Sequence, residues 1–413
     1  MTALNVDSRE TLYVARQPIL EPGGAVFGYA LLYRDIATDE GDPREDLARA
    51  RVFTDAVLNL GLDTLTGGKP AFLNLTRPLL LRLAALLPAA AAVFELERDI
   101  PVDDQTFEVC RELHEAGYSL ALDGFSRDSD AAALLPFVRF VKVDAAALPP
   151  AELTAVARDL APSGIRLVAD NVNTPDVFAA AKAAGYHLFQ GAYFSQPTVC
   201  GGSAVPGRHL AYLQLLSALN KPDLTLSEIE ELVKHDVSLS YRVLRCINSA
   251  AAGMRREVTS IRQALLLLGL APIRSWASVW CVAGLNTGGV SELVTTVLIR
   301  GRCCELLAQQ LRNADASSEM FLVGLCSMLD AMLGRSMSEV IGDLPLSPAA
   351  RGALLGEANV ERTILDAVAA YEQGEWDTAT TRIESLGIAG DELASAYTSS
   401  LRWARELSKD AST

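Results

Sequence analysis

Short apolar segments recur along the first half of the chain at intervals of roughly 20 to 28 residues, with helix-like segments between them. In one helix-like segment, Asp103 suits the N-cap and Gly117 the position just after the helix end. Repeated strand–helix units with nearly continuous apolar strands favour a closed parallel barrel over an open sheet. The first half therefore predicts an α/β fold of the (β/α)8, TIM-like barrel type. The apolar segments occupy positions 71–76, 92–97, 118–125, 137–144, 165–171 and 186–194.

Polar residues stand at or just past the carboxyl ends of these predicted strands. They are Asn74, Glu95, Asp123, Lys142, Asp144, Asp170 and Gln190. A single acidic residue after a strand is commonly a turn or helix-cap residue, whereas a series at the same end of successive strands favours a shared pocket. In a (β/α)8 barrel this rim is where sites are built, so the sequence predicts a polar pocket at the barrel mouth.

The chain changes character around positions 198–209, where the sequence TVCGGSAVPGRH contains three glycines and a proline. Beyond it, apolar residues follow a period of three to four residues, as in LSEIEELVKHDVSLSYRVLRCINSA. This period predicts an all-helical second domain. We expect a barrel domain over residues 1–199, a linker over 200–208 and a helical domain over 209–408.

Charge and cysteine content limit the classes of partner and compartment. A formal net charge of −15 disfavours nonspecific binding to nucleic acid or anionic lipid, which requires basic faces. Seven cysteines without C-x-x-C spacing disfavour a disulfide framework and favour a reducing compartment. The apolar stretch 79–94 contains Arg82 and Pro88 and is shorter than the roughly 20 residues that a bilayer requires. With no secretion signal visible, we expect a cytoplasmic protein without membrane or direct nucleic-acid partners.

Eight short motifs stand in a fixed order along the first half: ARQPIL, GYALLYR, FLNLT, FELER, LALDGFS, VKVD, VADNVNT and FQGAYFSQP. In this order they resemble the EAL domain, a barrel family whose active members hydrolyse cyclic di-GMP with two divalent metal ions. The resemblance implies an EAL-type barrel over the first half and a role in cyclic di-GMP-related signalling of the bacterial type.

The second half resembles an HDOD domain, a helical signalling module related to the HD phosphohydrolases. The resemblance rests on residues 238–240, 248–250, 260–264 and 268–269, which fill the positions of its Leu-Ser, Asn-Ser-Ala, Ser-Ile-x-x-Ala and Leu-Gly motifs. His235 and Asp236 form the dipeptide that names the HD enzymes, but His209 is the only other histidine in or beside this half. One imidazole and one carboxylate are too few ligands for a dinuclear site, so we interpret Asp236 as a helix N-cap.

The EAL resemblance also implies a depleted metal site. Two-metal phosphodiester hydrolysis requires enough oxygen ligands to hold both ions, and Mg²⁺ is usually anchored by carboxylates. The motif glutamate of the family falls on Ala30, the second aspartate of its double-Asp loop on Gly124, and the second glutamate of its Glu-x-x-Glu strand on Arg98. Asp170 is one methylene shorter than the expected glutamate, and Asn173 replaces a carboxylate. The remaining matches are Asn74, Glu95, Asp123 and Lys142.

This depletion predicts a vestigial EAL pocket with no catalytic residue, no bound metal and no cofactor. We therefore expect a non-catalytic signal-transduction protein, a pseudoenzyme, that acts through contacts with other signalling proteins. The resemblance further implies that a homodimer can form through the barrel. One alternative stays open at this point: weak phosphodiesterase activity that rests on a metal held by Asn74, Glu95 and Asp123, with Lys142 beside it.

A second alternative is a receptor that binds cyclic di-GMP without hydrolysing it. The positions that line or adjoin the nucleotide groove in the family are occupied by Gln17, Arg34, Lys142, Gln190 and Pro197. A guanidinium or ammonium group there can meet phosphate oxygens in charge-assisted hydrogen bonds. Hydrogen bonding along the barrel rim explains Gln17 and Gln190 equally well, and a salt bridge to Asp35 equally explains Arg34.

Overall fold

A computed structural model of the chain describes residues 13–33, 61–83, 89, 92–127, 129–195, 225, 228, 291–311, 314–333, 336–341 and 346–412. Several residues singled out from the sequence lie outside this described part. They are Arg34, Asp35, Pro197, the linker 200–208, His209, His235, Asp236 and the motif residues between positions 238 and 269.

Eight strands close into a barrel in the order in which they follow along the chain, which confirms the predicted barrel fold. All neighbouring pairs from the second strand to the eighth are parallel. The first strand is antiparallel to the eighth, with Ile19 opposite Gln190. The amino end of the first strand therefore lies at the mouth, where the other strands end. Strands β1 to β8 are Val14–Leu20, Val26–Tyr33, Ala71–Leu75, Ala92–Leu96, Ser119–Leu122, Phe140–Asp144, Arg166–Asp170 and Leu188–Gln190.

The helices between the strands begin and end at residues suited to those positions. Asp103 accepts a hydrogen bond from the Thr106 backbone N at 2.8 Å, and Gly117 follows the end of the same helix at φ 85°, as the sequence predicts. Thr174 caps a later helix through the Val177 backbone N. Helices α1 to α5 are Leu62–Thr66, Arg77–Leu83, Asp104–Glu115, Pro150–Leu160 and Pro175–Ala183, with 3₁₀ turns at Asp130–Phe137, Ala161–Ser163 and Ala192–Ser195.

The barrel interior is filled by one apolar side chain from each strand, which together we call the plug layer. Its centre is aromatic: the rings of Phe72 and Phe140 lie 5.2 Å apart in an edge-to-face arrangement. Below it, Phe27 packs against the plug layer and the guanidinium of Arg166 lies 4.3 Å from the Phe27 ring centroid. The barrel is therefore a packed core and not a channel. The plug layer consists of Ile19, Ala30, Phe72, Val93, Ala121, Phe140, Val168 and Leu188.

The C-terminal part of the chain is helical throughout its described ranges, in agreement with the predicted all-α second half. Two of its helices pack closely at glycines, because a Cβ atom on Gly324 would lie 2.6 Å from the Cα atom of Gly301. None of the described helices is long and apolar enough to cross a membrane. Helices α6 to α13 are Ser291–Gln310, Ala314–Cys326, Leu329–Leu333, Met337–Val340, Pro348–Leu355, Val360–Glu372, Trp376–Glu384 and Gly390–Ser412.

The chain forms two compact units. The barrel unit comprises the described residues of Met1–Pro22, Phe27–Gly191 and Ala370–Thr398. The other unit includes the described residues of Ala192–Ala369 and Ser399–Thr413. Residues 370–398 thus pack within the barrel unit although a long stretch of chain separates them from β8. The domain limits expected from the sequence stay a prediction.

Candidate functional site

A second layer of side chains lies two residues nearer the mouth on each strand, and we call it the mouth layer. Because side chains alternate along a strand, residues two apart face the same side, so the mouth layer also points into the barrel. Seven of its members are polar and one, Leu32, is apolar. The mouth layer consists of Gln17, Leu32, Asn74, Glu95, Asp123, Lys142, Asp170 and Gln190.

Lys142 stands at the centre of the charged part of this layer. Its Nζ atom lies 3.0 Å from Glu95 Oε1, 3.6 Å from Asp123 Oδ1 and 4.0 Å from Asp170 Oδ2. The Lys142 and Glu95 side chains are only 5% and 4% exposed. A buried ammonium requires such neighbours, because an unpaired charge in a protein interior is strongly unfavourable.

The protonation equilibria of the cluster follow from burial and from the neighbouring charges. Burial disfavours the charged form of Lys142, but the negative charges of Glu95, Asp123 and Asp170 outweigh it and raise the pKa of Lys142 above its ordinary value. Burial raises the pKa of Glu95, and the charges of Asp123 and Asp170 add to this rise while Lys142 opposes it. Burial likewise raises the pKa of Asp170 against the opposing charge of Lys142.

Two glutamines continue the mouth layer on the side of β1 and β8. Gln190 donates a hydrogen bond from Nε2 to Gln17 Oε1 at 2.9 Å. The Oε1 atom of Gln190 is buried and accepts no hydrogen bond from any described residue. From the sequence, these two glutamines could either contact a nucleotide or hydrogen-bond along the barrel rim. In the structure their side-chain amides form a hydrogen bond with each other at the rim.

Asp144, which the sequence groups with the pocket residues, has a different place. It follows Val143 at the end of β6 and accepts hydrogen bonds at Oδ1 from the backbone N atoms of Ala146 and Ala147, at 3.1 and 3.0 Å. Its Oδ2 accepts another from Asn171 Nδ2 at 3.0 Å. Asp144 lies two residues beyond Lys142 and so shares its face of β6, but it is the last residue of the strand, and its carboxylate binds the backbone of the following turn. It is therefore a turn residue one position beyond the mouth layer.

The last acidic motif, VADNVNT, covers the end of β7 and the loop that follows it. Asp170 Oδ1 accepts a hydrogen bond from the Asn171 backbone N at 2.9 Å, and Asn171 has a left-handed backbone at φ 55°. Asn173 is exposed beyond this bend and lies outside the mouth layer. Asp170 therefore belongs to the Lys142 cluster, whereas Asn173 is an exposed residue of the following loop.

Arg98 and Gly124, two of the positions at which the EAL pattern expects carboxylates, are in direct contact. Arg98 Nε donates a hydrogen bond to the Gly124 carbonyl O at 3.0 Å. Gly124 has φ 57°, and a Cβ atom on it would lie 2.5 Å from Arg98 Nε. One guanidinium thus replaces one expected carboxylate and covers the position of the second. Sequence comparison of single motifs gives no sign of this contact, because the two residues lie in different motifs.

The pocket does not fit the pair of divalent ions that the EAL resemblance implies. Ala30 lies in the plug layer, 3% exposed and among apolar side chains, and offers no oxygen atom. Gly124 and Arg98 offer no side-chain oxygen either, and the three carboxylates of the pocket already surround the Lys142 ammonium. In the described part of the chain, no group of three or more His, Cys, Asp and Glu side chains is arranged to hold a metal ion.

Comparison with known proteins shows which family combines these two parts. The EAL domain family matches residues 45–197, which begin after β2, and the HDOD domain family matches residues 206–333. The uncharacterized protein YuxH of Bacillus subtilis strain 168 is 31% identical over 406 residues, or 96% of this chain and 98% of YuxH. The chain belongs to the EAL–HDOD family. This architecture joins an EAL barrel to a helical HDOD domain in one polypeptide.

Two further similarities are to a second full-length relative and to a solved structure. The cyclic di-GMP phosphodiesterase CdgJ of Vibrio cholerae is 30% identical over 408 residues, or 98% of this chain and 94% of CdgJ. A solved structure of Klebsiella pneumoniae BlrP1 in complex with manganese and cyclic di-GMP is 24% identical, with a TM-score of 0.38. That match covers 46% of this chain and 56% of the BlrP1 chain.

Proposed function

We propose that this EAL–HDOD protein is a signalling protein of the cyclic di-GMP-related type whose barrel does not hydrolyse cyclic di-GMP and which acts through contacts with other proteins. The observation that carries the proposal is the contact between Arg98 and Gly124. A guanidinium stands where the family pattern expects two carboxylates, and Ala30 removes a third.

Charge balance supports this proposal. Two-metal hydrolysis requires carboxylates that neutralise both ions and hold them about 3.5–4 Å apart. Here Glu95, Asp123 and Asp170 already face the Lys142 ammonium, and Arg98, which is exposed, places a guanidinium instead of a carboxylate against Gly124. Two additional divalent ions would leave a mostly buried pocket strongly positive, which a low-dielectric environment disfavours.

Hydrolysis remains the alternative that one comparison favours. CdgJ is named a cyclic di-GMP phosphodiesterase and aligns with nearly the whole of this chain. Asn74, Glu95, Asp123 and Lys142 are all in the mouth layer, so residual activity would rest on them. This alternative requires a metal held by Asn74, Glu95 and Asp123 beside the Lys142 ammonium.

The test is hydrolysis of cyclic di-GMP by the purified full chain with Mn²⁺ or Mg²⁺, followed by chromatography of the linear product. We expect no turnover above that of the Glu95→Ala variant. A matched variant with Ala30→Glu, Arg98→Glu and Gly124→Asp restores the three expected carboxylates and should bind Mn²⁺ more tightly than the wild type. Turnover by the wild type that Glu95→Ala abolishes would overturn the proposal.

Calorimetry with cyclic di-GMP distinguishes the receptor alternative. The proposal expects no saturable heat at micromolar protein, because the phosphates meet three carboxylates without metal ions to balance them. Saturable heat without turnover would instead assign the barrel as a nucleotide receptor. Arg34→Ala should then remove that heat if the family groove is the binding site.

A further inference from the structure

Residues 370–398 pack against β1 through a cluster of four aromatic side chains. Tyr371 is the hub, with ring-centroid distances of 4.9 Å to Trp376, 4.8 Å to Tyr397 and 6.1 Å to Tyr13. Tyr13 also lies 6.2 Å from Trp376. Tyr371 is fully buried, so the cluster is a packed core and not a surface contact.

The hydroxyl of Tyr371 completes the first strand of the barrel. The Val14 backbone N, at the first residue of β1, donates a hydrogen bond to Tyr371 Oη at 3.2 Å. A buried backbone N–H requires a partner, and here a side chain more than 350 positions away supplies it. The backbone of the same segment also comes close to the residue before β1, because a Cβ atom on Gly390 would lie 3.0 Å from Tyr13 Oη.

These contacts lie at the mouth of the barrel. The amino end of β1 is at the mouth because β1 is antiparallel to β8, and the carboxyl end of β2 is there because β2 is parallel to β3. At β2 the turn after α11 approaches Leu32, the one apolar member of the mouth layer. A Cβ atom on Gly374 would lie 2.9 Å from Leu32 Cδ1, and Gly374 has φ 78°.

The exposure of side chains differs around the mouth. Lys142 and Glu95 are 5% and 4% exposed, whereas Asp123 and Asp170, on β5 and β7, are 29% and 26% exposed. The pocket therefore opens toward β5 and β7. On β2, Leu32 is half-buried and lies against the turn at Gly374.

We propose that residues 370–398 form a strap that fixes β1 and packs on the β1–β2 side of the barrel mouth, so that displacement of the strap frees β1. The strap holds β1 and with it Gln17, whose amide contacts Gln190. Whether the barrel hydrolyses a nucleotide does not enter this proposal, which concerns the position of β1 and of Gln17 at the rim of the pocket. A partner that draws the strap away would thereby change the pocket without touching it.

The first test measures hydrogen exchange of the β1 peptide in the full chain by mass spectrometry. Gly374→Val adds side-chain atoms against Leu32, and we expect the β1 amides to exchange roughly tenfold faster, because the added strain favours displacement of the strap. Gly164→Val is the matched control, because Gly164 has φ 69° and no neighbouring atom within 4 Å of its Cβ position. The β5 peptide serves as the internal reference in each sample, and equal exchange of β1 in the two variants would overturn the strap.

The second test uses hydrogen exchange of the β1 peptide, again in the full chain. Tyr371→Phe removes only the hydroxyl that accepts the Val14 hydrogen bond, and exchange at Val14 should become roughly 2- to 10-fold faster. Tyr397→Phe alters the same cluster without touching that bond and should leave Val14 unchanged. Unchanged exchange in Tyr371→Phe, or an equal rise in both variants, would contradict the proposal.

Discussion

The plug layer and the mouth layer of the barrel lie only two residues apart on the same eight strands, yet their chemistry is opposite. The plug layer is apolar on every strand, whereas the mouth layer is polar on every strand except β2. The plug layer stabilises the barrel by burying apolar surface, and its loss leaves a cavity. The mouth layer is tolerated because its charges pair with one another. The comparison separates residues that hold the fold from residues that define the pocket.

The largest expected effect is in the plug layer. Phe140→Ala removes a buried ring that packs against Phe72, and we expect the free energy of unfolding to fall by about 4 kcal/mol. Chemical denaturation followed by far-UV circular dichroism measures this loss. The control is Phe107→Ala, since Phe107 is exposed and should cost about 1 kcal/mol or less. If both variants lost a similar free energy of unfolding, the plug layer would contribute no more to stability than an exposed residue.

Lys142→Met tests whether the mouth layer depends on its central cation. It leaves three carboxylates without their partner, and we expect a loss of about 3 kcal/mol in the free energy of unfolding at pH 7. Lys182→Met, at an exposed lysine, should have little effect. If Lys142→Met stabilises the protein, the ammonium is not required by the mouth layer.

The pH dependence of the Lys142→Met variant sharpens this test. Burial raises the pKa values of Glu95 and Asp170 in the folded state, so the folded protein binds these protons more tightly than the unfolded chain. Loss of the Lys142 ammonium removes the charge that lowers these two pKa values, so it increases the difference in proton binding between the folded and unfolded states. Stability should therefore fall as the pH rises through these pKa values, and the deficit of the variant should shrink toward pH 4. A deficit that is constant between pH 4 and pH 8 would contradict the electrostatic explanation.

The contact between Arg98 and Gly124 predicts a coupled effect at the edge of the mouth layer. Gly124→Ala should cost about 2 kcal/mol, of which about half is backbone strain at positive φ and half is the lost Arg98 hydrogen bond. In an Arg98→Ala background the same change should cost only about 1 kcal/mol, as should Gly164→Ala in the wild type. A double-mutant cycle by denaturation measures the difference, and strict additivity would show that the contact contributes nothing.

The smallest expected effect is at the glutamine pair. Gln17→Ala leaves Gln190 Nε2 without its acceptor, and we expect a loss of about 1 kcal/mol. Gln105→Ala removes an exposed hydrogen bond from Arg77 and should have no measurable effect on the midpoint of thermal unfolding. Equal shifts in the two variants would mean that the position of Gln17 in the mouth layer is of no consequence for stability.

The sequence alone predicts the barrel and most of the mouth layer because both follow from short-range patterns. Each of the six predicted apolar segments contains a strand, and Asn74, Glu95, Asp123, Lys142, Asp170 and Gln190 lie in the mouth layer as grouped from the sequence. The antiparallel direction of β1 is not visible in its own residues, since alternation is the same in either direction. Nor does the sequence separate Asp144 from the pocket, because Asp144 has the same strand parity as Lys142 and only the turn after β6 engages its carboxylate.

The sequence by itself determined the local patterns. These are short apolar strands that end in polar residues in the first half, and apolar residues repeating every three to four positions in the helical second half. These are properties of neighbouring residues, and they fix the fold class and the residues that belong to the rim. The tertiary structure alone decided which distant residues meet. Arg98 covers Gly124, and Tyr371 completes β1, because the closed barrel brings together segments whose separation along the chain carries no pattern.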